Sequence, residues 1–250
     1  MISFVRARLR QGYRTIPIVD RGDVLPAAYR GRPSLAEGEC PADCRACVDA
    51  CPTGALTTAP LAIDLGKCLF CPACAEACLA KRITWTRDHR LAARARDDLH
   101  VSPGRAAVLA AALEARTRRL FKRALRLRQV SAGGCNGCEA ELNVSGNIVF
   151  DLSRFGVQFV ASPRHADGVV VTGPVPVNMH QALLDTYAAV PSPRLVIAVG
   201  ACAISGGVFA GSPVVKGIPA DMPIDLYVPG CPPHPLTFVD GVLRLLGRLG

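Results

Sequence analysis

From residue 125 onward the apolar positions fall into short blocks separated by amphipathic stretches. Residues 125–130 alternate apolar and polar side chains, the period of a half-buried strand. Residues 139–155 read as a helix. Residues 157–161 and 168–172 read as short strands, and 177–190 as a second helix. Residues 194–199 form a near-continuous apolar run, as in a strand covered on both faces. Residues 224–228 predict another strand and 235–249 a final helix opened by Pro235. Strands alternating with helices predict an α/β domain over residues 125–250, with a parallel, doubly wound sheet of the flavodoxin-like kind.

Upstream the pattern changes. Ser102 is placed to cap a helix, Pro103 occupies its first position, and an Ala/Leu/Arg run follows to about Ala124. Residues 101–124 are therefore expected to form a linker helix. Its end, residues 116–128, is strongly basic; it is either a solvated face or one that packs on an acidic subunit or near lipid headgroups. The opening stretch MISFVRARLRQGYRT is basic with scattered apolar residues, and reads as a short amphipathic docking helix or a frayed tail. It has no apolar run or cleavage motif of a signal peptide. No apolar run reaches the roughly 18 residues of a membrane span.

The 250 residues are enough for one or two domains with a real core, and half of them are apolar, which argues against disorder. The net charge of +9 would suit acidic partners, anionic lipid or the chain's own anionic groups. Aromatic residues make up only 5%, a poor basis for stacking on bases, so no nucleic-acid partner is expected. Twelve cysteines without a secretory leader point to metal or redox chemistry rather than disulfides.

Eight of the cysteines form an internal repeat. Cys44-Arg-Ala-Cys47-Val-Asp-Ala-Cys51 lies over Cys71-Pro-Ala-Cys74-Ala-Glu-Ala-Cys78 with identical spacing, and each copy is preceded by one more cysteine, Cys40 or Cys68. The run C-x2-C-x2-C-x3-C is the spacing of bacterial [4Fe–4S] ferredoxins, in which the fourth cysteine binds the other cluster. Hence Cys40, Cys44, Cys47 and Cys78 are expected to hold one cluster, and Cys51, Cys68, Cys71 and Cys74 a second. Residues 1–100 would then be a small α+β ferredoxin-like domain. The first copy departs by one extra residue between Cys40 and Cys44, and the second has Leu79 where Pro is usual. Zinc is the alternative metal, but zinc sites usually pair two C-x2-C knuckles.

The remaining four, Cys135, Cys138, Cys202 and Cys231, each follow the carboxyl end of a predicted strand, where open α/β sheets build ligand sites. Glycines flank them all, suiting close backbone approach to a bulky group. They are candidates for a third cluster, so iron via all twelve thiolates accounts for every cysteine. His165 and His234 read as loop-fixing residues, not ligands.

These residues also carry a resemblance. The eight-cysteine region, with Pro17-Ile18-Val19-Asp20 and Tyr29-Arg30-Gly31-Arg32-Pro33 before it, resembles the two-cluster ferredoxin-like subunits of formate hydrogenlyase and of respiratory complex I over about residues 1–95. The segments CNGCEAEL, FVASPRHADGVVVTGPV, VGACAISGGVF and VPGCPPHP resemble the small subunit of membrane-bound [NiFe] hydrogenases of the formate hydrogenlyase type, and the related complex I subunit, over about residues 117–250. Complex I proteins have adjacent cysteines at the first site; the Cys135-x2-Cys138 spacing here is similar to the hydrogenase side.

The resemblance implies a fusion of two usually separate subunits. Together they would form an electron relay of three [4Fe–4S] clusters, peripheral on the cytoplasmic side of the inner membrane. The third cluster would be proximal to the active site of a hydrogenase-type large subunit. Other implied partners are complex I-like membrane or peripheral subunits and an upstream electron donor or acceptor. No complete catalytic site is implied on this chain, although Glu141 matches a glutamate for which proton transfer is a suggested role. Glu139 reads as a first-turn acid that complements the helix dipole. The alternatives are a relay subunit of a nickel-free, complex I-like assembly reducing quinone or another acceptor, and a zinc-binding interaction protein.

Overall fold

The computed structural model describes residues 2–17, 25–105, 108–121 and 124–249, the side chains of Ile2 and Arg116 excepted. Ile18, Val19 and Asp20 of the lead-in segment lie outside the described residues, as do Lys122 and Arg123 of the basic stretch.

An exposed helix α1 (Ile2–Gln11) comes first, with Phe4 and Leu9 in solvent. It is tied to the body behind it by Thr15 Oγ1 donating to Ile148 O and Ile16 N to Val149 O. The eight-cysteine repeat then forms its own unit. In each copy a short helix is followed by a short strand: α2 (Ala46–Asp49) and β2 (Leu56–Thr58), then α3 (Ala73–Ala77) and β4 (Ile83–Trp85). β1 (Pro33–Leu35) leads into the first copy and β3 (Leu61–Asp64) into the second. β1 pairs antiparallel with β4, and β2 with β3, which also pairs with β5 (His100–Val101). The two copies are thus arranged about a pseudo-twofold axis, each helix followed by a strand in an antiparallel ribbon. Ile63 and Leu99 are fully buried between them, packed with several of the cysteines.

The second unit is the doubly wound domain. Its strands are β6 (Leu125–Ser131), β7 (Val157–Phe159), β8 (Gly168–Thr172), β9 (Leu195–Val199) and β10 (Leu226–Val228). All are parallel, in the order β10-β9-β8-β6-β7. That is the flavodoxin-like order, with its switch point between β6 and β8. Every residue of β8 and β9 is buried, as their apolar runs predict for strands covered on both faces. The helices of this unit and the segment before it are α4 (Ala115–Phe121), α5 (Gly137–Val144), α6 (Val177–Ala189), α7 (Ala201–Ser205) and α8 (Pro235–Leu245).

Two predicted helices are corrected. Among the described residues of the expected linker helix over 101–124, only α4 is helical. Gly104 adopts φ +68, and from residue 108 to 114 the chain is non-helical. There Ala110 N donates to Ala92 O and Leu113 N to Leu245 O, so tertiary partners take the hydrogen bonds a helix would need. The helix expected over 139–155 ends at Val144. Asn147 Oδ1 accepts from Val149 N and Phe150 N, and Asp151 sits at φ +45, which breaks the ladder.

The two units pack as one body. Residues 91–93 run along the free edge of β10, with Ala93 and Tyr227 exchanging both backbone hydrogen bonds at 2.8 and 3.0 Å. Ser205 Oγ donates to Gly66 O at 2.9 Å. All of α8 is buried, including the ion pair Asp240–Arg244 at 3.0 Å. Among the described residues no helix is long and apolar enough to cross a membrane.

Candidate metal centres

The topology gathers Cys135, Cys138, Cys202 and Cys231 at the carboxyl edge of the parallel sheet. Cys135 follows β6, Cys138 lies on the first turn of α5, Cys202 on α7, and Cys231 in the loop after β10. Asn136, the spacer residue, takes φ +69, a left-handed conformation that Asn tolerates, and so starts α5 directly behind Cys135. Burial pushes the Cys138 thiol up to about 12, and Glu139, Cys202, Cys231 and Cys135 add to this as nearby negative charges. Cys202 is pushed up to about 11 by burial and by Cys231, Cys135 and Glu139. The four thiols therefore feel one another although three separate loops carry them.

Backbone closes around these sulfurs. A Cβ on Gly200, which has φ +88, would stand 2.5 Å from Cys138 Sγ, and one on Gly207 would stand 2.9 Å from Cys202 Sγ. The pocket has room for sulfur and what it binds only because neither residue has a side chain. Glu139 lies beside it, buried at the switch point. Ser131 Oγ and Thr172 Oγ1 donate to its Oε1 at 2.7 and 2.6 Å. Burial would raise its carboxyl, but the two hydroxyls outweigh this and hold it below the ordinary glutamate range. Glu139 is thus a built-in anion of the site, a role its first-turn position did not reveal. Glu141 is only partly buried, and burial raises its carboxyl.

The other eight cysteines fall into two groups in the same way. Cys47 is raised by burial and by Cys78 and Cys40. Cys68 is pushed up to about 12 by burial, with Cys74, Cys51 and Cys71 as neighbouring charges. Cys78 thus lies within electrostatic reach of Cys47, and Cys51 within reach of Cys68 and Cys74. The pseudo-twofold extends to the donors: Ala55 N lies 3.3 Å from Cys51 Sγ, and Arg82 N lies 3.4 Å from Cys78 Sγ. The extra residue before Cys44 is absorbed in a turn closed by Cys44 N donating to Pro41 O, with Asp43 at φ +55. Phe70, at the equivalent place before Cys71, has φ +57, so the insertion leaves the backbone entering the cysteine loop unchanged. Cys40 and Cys44 border an open hollow of about 890 Å³.

The three groups lie in series within electrostatic reach of one another. Cys74 of the second feels Cys47 of the first, and Cys231 of the third feels Cys71 of the second. Between the last two lies a small cavity of about 40 Å³ lined by Phe70, Pro232 and His234 among others. His234 caps α8, its Nδ1 accepting from Leu236 N at 3.1 Å, and burial followed by His89 lowers its pKa to about 4. His165 is an exposed residue of a short turn. Among the described residues no three His, Cys, Asp or Glu side chains close on a point as one metal ion requires.

Residues 135–245 match the profile of the family described as NADH ubiquinone oxidoreductase, 20 Kd subunit, and this span contains Cys135, Cys138, Cys202 and Cys231. A protein named "Probable membrane-bound hydrogenase subunit mbhJ" of Pyrococcus furiosus is 43% identical over 122 residues, 48% of this chain and 72% of the relative.

The chain belongs to the NADH ubiquinone oxidoreductase 20 Kd subunit family.

An NADH-quinone oxidoreductase subunit of Geotalea daltonii is 44% identical over 113 residues, 45% of this chain and 66% of its own length. Formate hydrogenlyase subunit 7 of Escherichia coli is 39% identical over 140 residues, 56% of this chain and 55% of its own. Members of this family named as hydrogenase and NADH-quinone oxidoreductase subunits make the chain an oxidoreductase subunit. The 20 Kd subunit match covers the α/β unit from Cys135 to Leu245, after β6, while the eight-cysteine repeat lies before it.

Proposed function

We propose that the chain is the electron-relay subunit of a membrane-associated hydrogenase-type complex, a ferredoxin-like two-cluster unit fused to a 20 Kd-type subunit. Cys40, Cys44, Cys47 and Cys78 would hold the first cluster, Cys51, Cys68, Cys71 and Cys74 the second, and Cys135, Cys138, Cys202 and Cys231 the third. A [4Fe–4S] cluster held by four thiolates supplies one-electron transfer. The rest is the chain's own work. Backbone N–H groups at Ala55, Phe70 and Arg82 point at ligand sulfurs, and such bonds tune potentials. Gly200 and Gly207 keep the third pocket open to a bulky group. Cys135 and Cys231 stand at its exposed rim, where a large subunit would cover them.

The observation that carries this reading is the packing of the cysteine repeat against the cysteine-bearing sheet edge, Ser205 Oγ to Gly66 O at 2.9 Å, which leaves Cys74 within electrostatic reach of Cys47 and Cys231 within reach of Cys71. A chain of neighbouring redox groups is what a relay between two partners requires. Relatives named as membrane-bound hydrogenase and formate hydrogenlyase subunits support a place in such a complex; in this reading the chain sits beside a large subunit, peripheral on the cytoplasmic face of the inner membrane. The comparable likeness to an NADH-quinone oxidoreductase subunit favours a second reading, a relay in a nickel-free complex I-like assembly that reduces quinone or another acceptor.

Metal analysis of the purified chain tests the relay. About twelve irons with matching acid-labile sulfide are expected from three cubanes. Zinc without sulfide would leave an interaction module instead. The two relay readings separate on the partner: a large subunit with two C-x2-C pairs belongs to a nickel–iron hydrogenase.

A further inference from the structure

Two clusters in a duplicated unit should have similar surroundings unless a residue breaks the duplication. One does. Arg82 follows Cys78 at the same spacing as Ala55 follows Cys51, so the two occupy the same place in the repeat. Their backbone N–H groups do the same thing, each donating to the fourth cysteine of its run. Their side chains differ by a full positive charge.

The Arg82 guanidinium is buried and fixed. Nη1 donates to Cys40 Sγ at 3.1 Å, while Nε and Nη2 both donate to Ala36 O at 3.1 and 2.8 Å. Ala36 N returns a bond to Arg82 O, and the adjoining residues Leu35 and Ile83 are paired in the β1–β4 ribbon. Arg82 thus bonds to two sulfurs of one thiol group, Cys78 through its backbone and Cys40 through its charge.

We propose that Arg82 sets the reduction potential of the cluster held by Cys40, Cys44, Cys47 and Cys78, raising it relative to the same cluster without the cation. The inference rests on the relay reading above. When that cluster accepts one electron from a donor, its thiolate-bound unit gains one negative charge. A buried cation at hydrogen-bond distance from a ligand sulfur stabilises the reduced form more than the oxidised one. At the equivalent place beside the second cluster, Ala55 carries no charge. At this place in the repeat a buried cation stands beside one cluster and none beside the other.

The test is a dithionite titration of the full-length, cluster-loaded chain followed by electron paramagnetic resonance. Arg82→Gln is expected to lower one of the three midpoints, shifting its one-electron equilibrium by about tenfold, or about 59 mV, with the other two unmoved. Arg82→Lys keeps the charge and is expected to shift it less. Unmoved midpoints in a fully loaded Arg82→Gln chain, or an equal shift in Arg82→Lys, would overturn the proposal. Should Arg82→Gln lose iron, the native chain labelled with 15N in its arginine guanidinium groups decides. A 15N coupling to one reduced cluster is expected, and its absence overturns the proposal. Zinc, or no labile sulfide, in the native chain would instead sink the relay reading before any variant is made.

Discussion

Gly200 has little freedom to change. It follows β9 at φ +88 and faces Cys138 Sγ, so a methyl group there is both strained and in collision. Gly200→Ala is expected to lower stability by about 1–3 kcal/mol and to remove about four of the irons predicted for the whole chain. Thermal melting and iron analysis read the two effects, and a fully loaded, equally stable variant would refute this account of the pocket. That glycines surround the cysteines is visible in the sequence. Which glycine faces which sulfur is not, since Gly200 and Cys138 follow different strands and meet only through the sheet. Glu139 and Glu141 make the same point. They are near-identical in sequence context, yet Glu139 sits buried under Ser131 and Thr172 while Glu141 is partly open to solvent.

At the scale of elements, strands are more legible than helices. The apolar runs of β8 and β9 mark their positions because a strand buried on both faces must be apolar throughout. Residues 101–124 depart from the expected helix for a different reason. An Ala/Leu/Arg run has high helix propensity, but propensity is outweighed where backbone groups find tertiary partners such as Ala92 O and Leu245 O.

The join between β3 and the turn before β5 offers a test at this level. Asp64 Oδ2 meets Arg96 Nη2 at 2.6 Å, and Oδ1 accepts from Gly66 N at 2.9 Å. Burial alone would raise the Asp64 carboxyl, but Arg96 and the Gly66 N–H hold it below its ordinary value of 3.8. A carboxylate with a depressed pKa stabilises the fold above its unfolded value, and that stability is lost as pH falls through the folded value. Asp64→Asn is therefore expected to cost about 1–3 kcal/mol at neutral pH. The difference should narrow only below 3.8. Denaturant melts across pH would check it, and a difference that shrank at alkaline pH would contradict it.

At the scale of the molecule, the seam between the two units decides the geometry of the proposed relay. A Cβ on Gly241, in the middle of α8, would lie 2.5 Å from Ala92 Cβ of the first unit. Gly241→Val is expected to force the seam apart at a cost of about 1–3 kcal/mol. A single thermal transition should then move down or split in two. Holding both units in one chain also makes the second and third thiol groups neighbours without relying on subunit association. Cutting the backbone in residues 95–115 should leave electron transfer between them dependent on concentration. Because Ala110 and Leu113 are tied into the seam, a cut near Gly104 is the one that least disturbs packing.

By itself the sequence determined the candidate ligands: twelve cysteines, eight in a repeat with ferredoxin-like spacing and four after predicted strands. Ligand spacing and hydrophobic period are local quantities, carried by neighbours in the chain. The tertiary structure alone decided which sulfurs lie side by side, that Glu139 rather than Glu141 is buried at the sheet's switch point, and that Arg82 reaches Cys40. Those facts depend on strand order and on packing between segments far apart in the chain, and no local pattern encodes them.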